Sequence, residues 1–194
     1  MSEICISGLF HINFFIFLTE YFKKYPKDET YFPTKFLNLT KLSHMQSAIS
    51  NLIIIFDNRT DTVNIREYVR HVKTYPGIFK VINKTSLDKV VNKDLDFLNK
   101  NISTIKHLLN WRNKLFFHLS KEYSGIREKI PNDFPFPRRK AENLFFNAIK
   151  ILDRYKSIYD GNLPAIPTEY RYNIKREIES IHDIIKIVKK YYQK

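Results

Sequence analysis

The sequence predicts an all-α protein, an up-down bundle of about five to six helices. Three observations carry this. Apolar residues recur at three- and four-residue steps over long stretches. Glycine is scarce, with four in 194 residues, and Gly77, Gly125 and Gly161, like the eight prolines, fall between the periodic segments. No segment sustains the strict alternation of a half-buried strand, although aromatic and β-branched residues are plentiful. A chain of 194 residues can bury a substantial core, so residues 1–194 are read as one domain.

The first helix is expected over about residues 7–25, ending near Pro26. Its run from Leu9 to Leu18 is strongly apolar but too short to span a bilayer and interrupted by His11 and Asn13. It lacks the basic flank of a secretion signal, having Glu3 instead. It reads as a core helix, and no membrane association is expected. A second helix runs from Lys35 to about Phe56 on Phe36, Leu39, Leu42, Ile49, Ile53 and Phe56, and the polar stretch from Asp57 to Asp61 breaks it. A short helix follows around Asn64 to Lys73 and stops before Pro76 and Gly77.

The central helix is expected to start near Ser86 as N-cap and run to about Tyr123, with a kink near Asn99–Asn101. One stripe on it is Leu98, Ile102, Ile105, Leu109, Arg112, Phe116; a second is Leu108, Trp111, Leu115, His118. After Gly125 comes a proline-containing ordered loop to Pro137. Arg138, Arg139 and Lys140 then open a helix on Leu144, Phe145, Ala148, Ile151, Leu152, Tyr155, Ile158 and Tyr159. Three cations there oppose the helix dipole. The last helix, from about Pro167 to Tyr192, is amphipathic and basic.

Net charge is +13 and uneven: 13 Lys and Arg face 10 Asp and Glu in residues 1–97, against 20 facing 10 in residues 98–194. That excess favours a polyanionic partner such as RNA. The single cysteine, Cys5, excludes an intramolecular disulfide and a Cys-based zinc site, and fits a reducing, cytoplasmic setting. No glycine-rich phosphate loop, nucleophile elbow or His-Glu-x-x-His run is present. His11, His44, His71, His107 and His182 stand singly, without a second ligand three or four residues further along the chain, so no metal site built from neighbouring residues and no cofactor is expected.

The residues that carry chemistry are Arg112, Asn113 and His118. A guanidinium on an apolar seam costs several kcal/mol (order of magnitude) unless a partner, a wet cleft or an interface receives it. Six residues of helix advance about 9 Å and turn His118 about 120° from Arg112, so one copy makes a poor site. Two copies joined through this helix across a two-fold axis would bring both arginines and both histidines to one phosphate. The chemistry that fits is metal-independent RNA cleavage. Imidazole serves as acid or base near neutral pH, arginine's fork holds the phosphate oxygens, and Asn113 assists by hydrogen bonding. Lys114, Lys121, Arg138, Arg139 and Lys140 are the expected RNA-backbone cations. The competing reading is a catalytically silent helical RNA-binding or adaptor module; a third binds an anionic membrane through Phe14, Phe15 and Phe17.

The run Arg112-Asn113-Lys114-Leu115-Phe116-Phe117-His118 resembles the Arg-x4–6-His motif of HEPN domains, most closely the AbiU-type abortive-infection branch. The segments Ile54 to Asp61 and Asn64 to Tyr68 are similar, more loosely, to that branch after its second long helix. The resemblance implies a helical bundle that dimerises through the motif helix, ribonuclease activity of toxin or phage-defence type with Arg112 and His118 catalytic, and room for an antitoxin partner. Phe117 stands where a small residue often precedes the histidine. No tyrosine lies two residues after His118, so the form silenced by a partnered nucleotidyltransferase is not supported.

Overall fold

The computed structural model describes residues 1–24, 34–57, 64–79, 83–112 and 137–161, with backbone alone at 34–38 and 111–112; of the last segment it describes Arg176, Glu179, Ser180, Asp183, Lys186, Ile187 and Lys190, all helical. Among these residues there is no strand. The helices are α1 (Ser2–Lys24), α2 (Thr34–Phe56), α3 (Ile65–Thr74), α4 (Lys84–Lys100), α5 (Ile102–Arg112) and α6 (Arg138–Asp160), with a 3-10 turn at Pro76–Ile78. The expected all-α bundle is what forms.

Helix α1 packs on α2 and α6, and α2 in turn meets α3, α5 and α6. Cys5, Leu9, Ile12 and Ile16 sit in the main core, while Phe14, Leu18, Tyr21 and Phe22 form a second apolar cluster. Its polar interruptions are satisfied inside the helix: Asn13 Nδ2 donates to the Leu9 carbonyl at 2.8 Å and Thr19 Oγ1 to the Phe15 carbonyl at 2.7 Å. The helix begins five residues earlier than its apolar run suggests. At 23 residues, with a mean hydropathy of 1.5 over its most apolar 18, it is long and apolar enough to cross a membrane by length and composition, which corrects the expectation of a run too short to span. Of that stretch, 39% is buried within the bundle.

Along α2 the buried residues are Met45, Ala48, Ile49, Leu52, Ile55 and Phe56, whereas Leu39 is 65% exposed and Leu42 47%. The expected stripe is therefore corrected at its first turns. This helix is apolar on several sides, so spacing alone does not choose the face that α1 covers. Asn64 caps α3 by accepting from the Glu67 N–H at 3.0 Å. The N-cap of α4 is Asn83, not Ser86: Asn83 Oδ1 accepts the Ser86 N–H at 2.8 Å, so Ser86 is the third helical residue. The expected kink falls at Asn101, whose N–H and Nδ2 both donate to the Phe97 carbonyl, at 3.2 and 2.9 Å, closing α4. Its own carbonyl accepts from Ile105 N and opens α5. This break turns Ile102 outward, 38% exposed, while Leu98, Ile105 and Leu108 stay buried. Gly161, at φ 73°, ends α6 in the left-handed conformation that glycine adopts without strain.

A buried ion pair ties α4 to α6. Asp94, 3% exposed, accepts from Arg154 Nη1 beside the fully buried Tyr155. Burial and the Asp94 charge together push the Tyr155 phenol far above its usual range, so it stays neutral. Removing the carboxylate leaves Arg154, partly open to water, without its counter-charge. Asp94→Ala is expected to lower unfolding free energy by about 2 kcal/mol, measured by urea denaturation, and Asp94→Asn by less.

Candidate functional site

Arg112 is the last described residue of α5. Ile105 and Leu108, at 5% and 3% exposure, define the core-facing side of this helix. Position 112 lies seven residues from the first and four from the second, which places it at that same register. Leu52, Ile53 and Phe56 of α2, Ile105, Leu108 and Leu109 of α5 and Leu144 of α6 line a small apolar cleft. The side chain of Arg112, and Asn113, Lys114, His118 and Lys121 with the expected continuation of the helix to Tyr123, lie outside the described residues, as does the loop from Ile126 to Pro131 and on to residue 136.

The three cations that open α6 differ in environment. Arg139 Nη2 donates to Glu20 Oε1 of α1 at 2.8 Å and Nη1 to Glu142 Oε2 at 3.3 Å. The Glu142 hydrogen bond, with both carboxylate charges, holds its guanidinium more firmly protonated than usual. Those carboxylates offset the unfavourable cation at the helix start. Arg138 is half-buried and Lys140 exposed. A further cationic surface, not singled out from the sequence, runs along α3 and α4. Arg66 Nη1 donates to Asn99 Oδ1 at 2.7 Å and Lys73 Nζ to Asn92 Oδ1 at 3.2 Å. These contacts repeat after seven residues on each helix, and their acceptors are neutral amides.

The structure also joins two histidines that the sequence scatters. His11 of α1 and His44 of α2 place their Nδ1 atoms 2.9 Å apart. Burial lowers the His11 pKa; burial and then the neighbouring His11 push His44 down to about 4. No local spacing could have announced a pair separated by 33 residues. Among the described residues no group of three or more His, Cys, Asp or Glu is placed to hold a metal ion.

No curated protein and no solved structure matches the chain. The AbiU2 family, HEPN_AbiU2, matches residues 8–178, a span that takes in most of α1 and all of α2 to α6 together with the Arg112-to-His118 run. The chain belongs to this abortive-infection family of HEPN type.

Proposed function

We propose that the protein is a metal-independent endoribonuclease of toxin or phage-defence type whose site is built from two copies of the motif helix. The observation that carries this reading is the position of Arg112, on α5 at the register of Ile105 and Leu108, within the span matched by the family. A cation at that position suits an interface or a wet cleft rather than a sealed core.

In this mechanism the 2′-hydroxyl of the substrate attacks its own phosphodiester. The bond from O2′ to phosphorus forms as the bond from phosphorus to the 5′-oxygen breaks. A neutral His118 takes the 2′ proton, and the protonated His118 of the second copy gives one to the leaving 5′-oxygen, so the products are a 2′,3′-cyclic phosphate and a 5′-hydroxyl. Arg112 from each copy holds the non-bridging oxygens and the charge that grows on them. Asn113 hydrogen-bonds the phosphate or the imidazole. Lys114, Lys121, Arg138 and Lys140, with the α3–α4 cations, meet the RNA backbone; Arg139 contributes less, its charge being shared with Glu20 and Glu142. The proposed setting is the cytoplasm, with α1 acting as a core helix and not as an anchor, and with an antitoxin protein as the natural restraint.

The test is incubation of the purified chain with mixed RNA in EDTA, followed by analysis of the new ends and of oligomeric state by ultracentrifugation. Cyclic-phosphate ends produced by a dimer are expected. Intact RNA that the protein nonetheless retains would leave a silent RNA-binding module, and cleavage by a monomer would remove the two-copy site.

A further inference from the structure

We propose that His11 and His44 form a two-histidine site for a borderline divalent transition metal ion, Cu2+, Ni2+ or Zn2+, that ties α1 to α2. The site stands apart from the Arg112 motif and does not depend on the ribonuclease reading.

The geometry comes first. Two imidazole nitrogens that share one ion, each about 2.0–2.1 Å from it, lie about 2.9 Å apart at a right-angled bite and about 3.3 Å apart at a tetrahedral one. The observed Nδ1 to Nδ1 separation is 2.9 Å. The pair therefore stands at the bite of a square or tetragonal ion, and opening by roughly half an ångström reaches the tetrahedral one. The two ligands come from different helices.

The rings are also held in place. Phe14 packs on His44 with ring centres 4.1 Å apart, and Phe10 meets His11 and His44 edge-on at 5.4 and 6.0 Å. The imidazole planes cross at 52°. Rings fixed by packing lose little freedom when an ion arrives. Both histidines are only partly buried, which leaves room at their open edge for water to complete the coordination. The cation one turn away on α2, Lys41, lies over the Phe22 ring at 5.8 Å.

The proton balance is simple. Without an ion the pair shares one hydrogen bond, one ring donating from Nδ1 and the other accepting. When the ion binds, the donor ring moves that proton to its Nε2, both Nδ1 lone pairs turn to the metal, and no net proton is released. Metal ligation needs neutral imidazole. Burial already holds both rings in that form, so the ion has fewer protons to displace in mild acid than at an exposed pair.

The test uses the full, untagged chain and CuCl2 or NiCl2 as the probe, followed by calorimetry, thermal unfolding and, for Cu2+, electron paramagnetic resonance. Expected results are one tight ion per chain, nitrogen hyperfine structure from two imidazoles, and a Tm raised by several degrees. His11→Asn and His44→Asn each keep a polar atom near the place of Nδ1, so that folding, checked by circular dichroism, survives. Each should weaken binding about tenfold or more and abolish the Tm rise. His71→Asn, a change at an exposed residue stacked on Tyr75, should do neither. Binding unchanged in both pair variants, or bound metal that leaves Tm where it was, would overturn the proposal.

Discussion

Alanine at Arg112 is expected to slow RNA cleavage by roughly 10²–10³-fold, and alanine at His118 by roughly 10²–10⁴-fold, with RNA still bound. The two losses differ in kind. Arg112 is proposed to act on charge that appears only as phosphorus takes on its fifth oxygen, so its removal should show in the single-turnover rate at saturating protein. Lysine should not restore it, because a point charge on a flexible stem lacks the planar fork that spans two phosphate oxygens. His118 is proposed to move protons, so its loss should flatten the pH dependence of the rate as well as lower it. On the same proposal the affinity comes from many other lysines and arginines, so filter binding and its salt slope should move little in either variant. A variant whose affinity falls as far as its rate would reassign that residue from catalysis to binding.

How much of this was legible in the sequence depends on the range of the signal. Short-range chemistry read through well. Asn64 announced the start of α3, Gly161 the end of α6, and the asparagines near position 100 the break that became Asn101. At α4 two cap-competent residues, Asn83 and Ser86, stood three apart, and the earlier one won because it could accept the N–H of the later. Faces were harder. Leu39 and Leu42 keep helical spacing yet point away from the core, because α2 offers apolar residues to several directions and only its packing partners, α1 above all, select among them. Pairings across the fold were not legible at all: Asp94 meets Arg154 60 residues later, and His11 meets His44 on another helix. Of the candidate site, the register of Arg112 could be read from Ile105 and Leu108, whereas the tether of Arg139 to Glu20 depends on α1 and α6 lying side by side.

Gly8→Ala is expected to destabilise the fold by about 3 kcal/mol, a fall in Tm of about 6–12 °C for a chain of this size. Helix propensity alone predicts the opposite sign, since alanine inside a helix is favoured over glycine by about 1 kcal/mol. The decision lies in what α6 brings against α1. A Cβ at position 8 would sit 2.1 Å from Phe145 Cε1, 2.3 Å from Cζ and 2.9 Å from Cδ1, far inside the usual 3.5–4.0 Å contact. Phe145 is fully buried, as are its core neighbours Cys5 and Ile12 of α1 and Ile149 of α6, so its ring has no empty space to swing into. Relief requires α1 and α6 to part, and the weakened packing along that seam outweighs the gain in propensity. The double variant Gly8→Ala, Phe145→Leu separates the two effects: shrinking the ring costs packing in its own right but removes the overlap, so the pair should be more stable than Gly8→Ala alone. Thermal and urea unfolding of the three proteins measures this. A Gly8→Ala protein as stable as the parent would mean that α1 and α6 stand farther apart than Gly8 and Phe145 place them.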